Sequence, residues 1–314
     1  MRRPRDSGIF GRMSEASAAE RVPATHGALG TFSALLYVFL WASAFVPSRV
    51  LSRNAPPLWV LAVRFTIAGA LLFAGVFAVR LPLPRSLRLW MRMALLGLCG
   101  NSLYLGLTYL ALRHLSAGMG AILASTNPLL VALVAPRLLG EPLTPRKLAG
   151  LVLGFGGVLL AMAARAGTQT ARPQDVLLAM AGVTASVAST VLYKKMTDRP
   201  HPVVLNAAQL ASAGALMVPA ALFLEGPPRI AWTAPVLASM TYLILVLSVG
   251  ASMLWFWILR HGEASRVSAW YFLTPVFGLL LGAALLGERL VPLDAVALAV
   301  IAVGLTLVAP VRAR

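Results

Sequence analysis

Long apolar runs separated by short charged or proline-bearing connections dominate this chain, and that pattern leaves few folds open to it. A helix needs about 20 apolar residues to cross the hydrocarbon core of a bilayer. Ten runs of that kind are legible, at 31–51, 58–79, 90–112, 116–136, 147–164, 174–193, 202–224, 233–258, 264–286 and 292–310. Of 314 residues, 59% are hydrophobic and 12% charged, against roughly 45–50% and about 25% in a soluble domain. A soluble globular protein is thereby excluded. The expected fold is all-α, a polytopic membrane protein with ten transmembrane helices. Residues 1–30 are polar and rich in Arg, Ser, Ala and Gly, and are expected to form a disordered cytoplasmic tail rather than a signal peptide.

The net charge of +17 would suggest nucleic acid in a soluble protein, but ten spans supply a different test. Loops alternate between the two faces, and Lys and Arg concentrate on the cytoplasmic one. Nineteen basic residues fall on the side of the N-terminal arm, including Arg80, Arg85, Arg88, Arg137, Lys147, Lys194 and Arg266. Seven fall on the other side, and Arg64 lies inside span two. Both termini are therefore expected in the cytoplasm, with the protein in the plasma membrane, the inner membrane of a bacterium. The excess charge is then mainly an insertion signal, and no nucleic-acid partner is expected. The single cysteine, Cys99, excludes a disulfide framework and any CxxC site. Metals and cofactors are not expected.

The sequence also repeats itself. Residues 112–160 align without a gap on 259–307 at a constant offset of 147, with 15 identities in 49 positions. Shared markers include Arg113/Arg260, His114/His261, Pro128/Pro275, Gly140-Glu141 with Gly287-Glu288, Leu143/Leu290, Pro145/Pro292 and Gly157/Gly304. The offset moves the pattern by five spans. Five is odd, so the two copies must cross the membrane in opposite directions. Two inverted five-helix repeats follow, at 31–164 and 174–310. This build recurs in secondary transporters, where two near-equivalent halves exchange inward-open and outward-open shapes about a midplane site.

The Arg64-Phe65 pair of span two, the mid-span prolines of spans four and nine and the doubled Gly-Glu-x-Leu-x-Pro at their ends carry a resemblance. So does the Gly-bearing span that follows each of them. With these features the chain resembles the drug/metabolite transporter superfamily, and within it the ten-helix EamA-type exporters. The resemblance covers everything after residue 30. It implies a 5+5 inverted-repeat exporter of amino acids, metabolites or drugs with both ends cytoplasmic. Similarity extends to the amino-acid exporters of the YddG type, whose aromatic residues beside the span-four proline are replaced here by Ser125 and Asn127.

Candidate site residues follow from polar or aromatic groups in mid-membrane. A proline inside a helix removes an N–H and displaces the carbonyl four residues earlier, here those of Ala124 and Tyr271. Pro128 and Pro275 therefore mark two helix breaks, flanked by Ser125, Asn127, Tyr271 and Thr274, which either line a cavity or pack as kinks. Asn101, Tyr104 and Thr108 fall at i, i+3 and i+7, within about 60° on a helix of 3.6 residues per turn. Trp41 and Ser43 lie near the centre of span one, away from the interfacial belt where tryptophan usually sits. Asn206 is a candidate for the inner entrance together with Gln209. Trp255 and Trp257 are expected to anchor at the interface. Arg64, inside a span, is read as a gating or structural group, pairing with Glu288 or contacting a substrate carboxylate. Glu141 and Glu288, at matching places on opposite faces, are expected to cap or gate helix ends. Small residues in span five (Gly150, Gly154, Gly157) and span ten (Ala295, Ala299, Ala302) are expected to bring helix backbones close.

No Walker A pattern appears, and no GxSxG or HExxH motif or paired aspartates, so neither ATP hydrolysis nor an enzyme is expected. All ten acidic residues fall in tails, loops or span ends. The cavity should therefore suit neutral or zwitterionic molecules, amino acids first, rather than organic cations. The alternative within the same fold is a phosphate-bearing metabolite or nucleotide sugar moved by exchange. Beyond substrate and lipid, the protein is expected to be a monomer or a weak homodimer.

Overall fold

The structure is a computed structural model that describes residues 28–115, 123–163, 172–286 and 292–308. Among the described residues all regular secondary structure is helical. Six helices are long and apolar enough to cross a membrane: Leu29–Ser48, Pro57–Ala78, Leu87–Ala111, Pro173–Lys195, Pro202–Glu225 and Ala234–His261. Between and after them lie Asn127–Leu139, Pro145–Ala163, the run from Ala264 to Leu286, and Pro292–Val308, completing the ten spans. Proline opens many of them, including Pro57, Pro145, Pro173, Pro202 and Pro292. At the first helical position its missing N–H has no partner to lose, and its fixed φ is already helical. Spans four and seven end on Gly140 and Gly226, with φ of 69° and 73°, a conformation that costs glycine nothing.

The inversion is visible in how equivalent helices pack. Span two lies against span seven, its repeat partner, with Leu58 near Glu225 at one end and Gly69 against Ala211 further along. Residue numbers rise in one helix as they fall in the other, so the two are antiparallel. Spans five and ten repeat the arrangement: Gly150 meets Gly304 and Leu307, while Gly157 meets Ala297 and Ile301. Two helices that are copies of one another and pack antiparallel must straddle a two-fold axis lying in the membrane plane. The small residues of span five thus serve packing within the bundle. In span ten the buried face is Ala297, Ile301, Gly304 and Val308, whereas Ala295, Ala299 and Ala302 point outward. The stripe read from sequence was one turn-face away from the one used.

Two features of backbone register are repeated as well. Span three contains a π-helical segment, Leu98–Leu103, and span eight another, Leu243–Ala251, at equivalent places under the 147 offset. Such wide turns are rare and mark places where a regular hydrogen-bond ladder is traded for a different side-chain orientation. The proline breaks of spans four and nine also match: helices resume at Asn127 and Thr274 and end at Leu139 and Leu286. Pro128 therefore stands in the first turn of a half-helix, after a turn at 125–126, where proline is at ease, whereas Pro275 follows directly on the 3-10 turn Trp270–Leu273 inside the continuous helical run from Ala264 to Leu286. Span one is broken too, into Ala28–Ser43 and Phe45–Asn54.

Candidate functional site

Five aromatic residues from four spans meet inside the bundle. Tyr37 and Trp41, one turn apart on span one, stack at 6.2 Å. Trp255 of span eight stacks on Tyr37 at 5.0 Å, and Tyr271, at the break of span nine, meets Tyr37 edge-on at 5.8 Å. Tyr104 of span three lies parallel to Trp41 at 6.5 Å. Hydroxyls run through the group: Tyr37 and Tyr271 share a hydrogen bond of 2.6 Å. Towards the opposite face, Ser43 meets the Tyr242 hydroxyl at 2.5 Å, and Ser48 meets that of Tyr109 at 3.4 Å. An aromatic face attracts cations and apolar groups alike, while the hydroxyls orient polar ones. The junction of spans one, three, eight and nine thus offers ring faces and hydroxyls, and no carboxylate among the described residues forms part of it.

Sequence reasoning reached Trp41, Ser43, Tyr104 and Tyr271 and missed Tyr37, Tyr242 and the inward turn of Trp255. Trp257 is exposed, its ring tilted 42° to that of His261 at 4.8 Å. The stripe of Asn101, Tyr104 and Thr108 does not hold together. Asn101 lies in the π-helical segment, whose wider turn breaks the 3.6-residue register on which the stripe rested. Tyr104 faces span one, while Thr108 bonds the Tyr104 carbonyl at 2.6 Å and lies against Gly182 of span six.

The break of span four serves a different neighbour. Asn127 is buried and donates to Ser186 of span six at 3.2 Å, Ser125 is buried beside it, and Pro128 is packed inside. Thr274, next to Pro275, has a buried hydroxyl oxygen that takes no hydrogen bond among the described residues. Asn206 is 0% exposed and sealed from any entrance: its amide donates to the Ser248 carbonyl at 3.0 Å and accepts from Gln209 at 2.7 Å. Arg64 is 6% exposed, and its Nε donates to Ser248 Oγ at 2.7 Å. Ser248 escaped notice in the sequence, although it is the repeat partner of Asn101 and the offset points to it. Glu288, the expected partner of Arg64, lies outside the described residues.

Charged groups fasten the helix ends. On the face where span four ends and span nine begins, called inner below, the buried Glu141 carboxylate accepts from Ala264 N at 2.7 Å. It also accepts from Ser265 N at 3.1 Å and Ser265 Oγ at 2.8 Å. Glu263 accepts from Lys147 at 2.9 Å and pairs with Arg266 at 3.0 Å, and Lys194 donates to the Gly262 carbonyl at 2.6 Å. On the outer face Glu225 caps span two through Leu58 N at 3.0 Å and Trp59 N at 3.2 Å, and pairs with Arg113. His114 meets Asp175 at 3.2 Å. Among the described residues no group of three or more His, Cys, Asp or Glu is arranged to hold a metal.

Comparison with known proteins agrees with this architecture. The model of the EamA-like transporter family matches the chain twice, over residues 28–163 and 175–309. The uncharacterized transporter YvbV of Bacillus subtilis is 30% identical over 267 residues, covering 83% of this chain and 86% of that protein. The uncharacterized inner membrane transporter YedA of Escherichia coli is 26% identical over 285 residues, covering 89% and 90%. A crystal structure of a protein 21% identical superposes with a TM-score of 0.75 over 88% of this chain and 96% of the other, which speaks for the fold. The chain therefore belongs to the EamA-like transporter family and is a multi-pass membrane transporter.

Proposed function

We propose that this transporter exports small neutral or zwitterionic metabolites, amino acids or their close relatives, by alternating access around the aromatic junction. The observation that carries the proposal is the set Tyr37, Trp41, Tyr104, Trp255 and Tyr271, gathered from both repeats at the broken middles of spans one and nine. Ring faces suit an ammonium or an apolar side chain, and the acidic residues, which a dedicated organic-cation carrier would be expected to bury there, stand at span ends. A phosphate-bearing substrate asks for several cations. Among the described residues the buried bases are Arg64 and Lys147, and Lys147 is paired with Glu263 at the inner face, which favours the zwitterion. Glu141 serves as an inner gate, fastening span four to the start of span nine, and must release for the inward-open shape.

Ligand binding tests this reading. Neutral amino acids, screened one at a time, should raise the Tm of the purified wild type. Tyr104→Ala should need roughly tenfold more ligand for the same shift, because stacking on Trp41 is lost. Asn127→Ala, whose side chain is occupied with Ser186, should change the ligand response less. Stabilisation by organic cations and by no amino acid would sink the proposal.

The charge balance supports an inner face in the cytoplasm, and the protein is proposed to lie in the plasma membrane, the bacterial inner membrane, as a monomer or weak homodimer in lipid. A reporter fused after Arg314 should be active only on the cytoplasmic side, and activity on the outer side alone would reverse the orientation.

A further inference from the structure

Arg64 presents a problem that the packing of the described residues does not solve. An arginine inside a span costs several kcal/mol unless its charge and donors are satisfied. Guanidinium carries five N–H donors. Here Nε takes Ser248 Oγ at 2.7 Å, and the group lies 5.6 Å from the Phe65 ring. Among the described residues Nη1 and Nη2 have no acceptor, and no carboxylate pairs with the charge. Structural basic groups elsewhere in the molecule are spent differently. Arg199 gives Nε to the Met196 carbonyl and Nη2 to that of Lys194, and Lys194 bonds two carbonyls of its own.

The one bond Arg64 does make is built with care. Ser248 lies in the π-helical segment of span eight, between Tyr242 and Trp255, both of which face the hydroxyl and aromatic ladder of span one. Its carbonyl is held by Asn206, and Asn206 in turn by Gln209, all three being buried. A chain of fixed groups thus sets the Nε edge of the guanidinium and leaves the Nη1–Nη2 edge unused. That edge matches a carboxylate in the bidentate, fork-to-fork manner.

Resting on the reading of the protein as a carrier of zwitterions, we infer that Arg64 binds the substrate carboxylate through Nη1 and Nη2. Ser248, Asn206 and Gln209 act as positioning residues. The ammonium and side chain are then left to the ring faces of Trp41 and Tyr104. The recognised class is a free α-carboxylate, which amides, esters and decarboxylated amines lack.

The test uses full-length protein in liposomes and a labelled neutral amino acid that the wild type moves, competed by the same amino acid, its carboxamide and its decarboxylated amine. The acid should compete at least roughly tenfold better than either analogue, since a site built for a polar group rejects a ligand lacking it. Arg64→Gln should abolish the preference, and Arg64→Lys should keep it with KM raised several-fold. Ser248→Ala should raise KM for the acid and leave inhibition by the carboxamide unchanged, a split that mere loosening of the bundle would not give. Should Arg64→Gln fail to fold, the wild-type analogue series and Ser248→Ala still decide. Equal competition by acid, amide and amine in the wild type overturns the assignment while leaving amino-acid transport intact. Transport of organic cations and of no amino acid overturns the functional reading itself, and this assignment with it.

Discussion

Gly304→Leu and Gly214→Leu should each lower the Tm of the purified protein by roughly 6–12 °C, the largest losses expected from single changes in the spans named here. A Cβ on Gly304 would stand 2.6 Å from Gly154 N and 2.7 Å from Gly150 O; on Gly214 it would stand 2.8 Å from Thr66 N. These obstacles are backbone, which cannot swing aside as a side chain does. The helices must separate, and each pair is the repeat-equivalent pair that packs across the pseudo-two-fold axis. Overpacking of this kind costs about 3 kcal/mol. Gly75 and Gly156 serve as controls, because a Cβ there would meet nothing within 4 Å. Alanine at either should be neutral or slightly stabilising, as expected for a helical glycine. Unchanged melting of both leucine variants would mean that spans two and seven, and five and ten, do not touch as described.

The second large effect concerns the inner gate. Glu141→Ala removes the acceptor of two backbone N–H groups and one hydroxyl at the start of span nine. Loss of a helix cap costs about 0.5–2 kcal/mol and a buried orphan donor about 1–3 kcal/mol. A shift of about 2 kcal/mol against the closed inner face multiplies the open fraction roughly 30-fold. Ser268 lies on the same short helix, Ala264–Ala269, and is fully buried. In a Cys99→Ala background, Ser268→Cys should react with a membrane-impermeant thiol reagent from the inner side about 10 to 30 times faster once Glu141→Ala is added. Glu141→Gln, which keeps one acceptor oxygen, should fall between. Equal labelling rates with and without Glu141 would remove it from the gate, leaving Lys147–Glu263 and Lys194 to hold that end.

How far the sequence foretold this arrangement differs between the backbone and the site. Ten spans and an inverted repeat were legible because membrane insertion writes itself in long apolar runs, and duplication in ordered Arg-His, Pro and Gly-Glu markers. The irregularities at Pro128 and Pro275 were legible too, since proline restricts its own φ, although the structure makes the first a helix start and the second a change from 3-10 to α-helical turns within one run. Side-chain direction was harder to read. The π-helical segments at Leu98–Leu103 and Leu243–Ala251 have the composition of their surroundings, so an apolar run conceals the wider turn that separates Asn101 from Tyr104 and Thr108. Trp255 sits near a span end, where composition favours an interfacial anchor, yet tertiary packing turns it onto Tyr37. In span ten every second or third residue is small, so a stripe of alanines gave no unique face, and contact with span five selected the one bearing Gly304. Asn206 and Gln209 look like entrance residues as isolated polar groups. Only the packing against span eight shows that Asn206 is spent on the Ser248 carbonyl and Gln209 on Asn206.

The most direct test is substrate flux. Purified protein in liposomes, loaded with one labelled compound at a time, should release at least one neutral amino acid well above the protein-free rate, and organic cations no faster than empty vesicles. Tyr104→Ala, reconstituted in equal amount, should release that amino acid roughly tenfold more slowly at sub-saturating concentration, as expected if the Trp41–Tyr104 stack binds it. Release of organic cations with every amino acid retained would contradict a cavity for zwitterions at the junction of spans one, three, eight and nine.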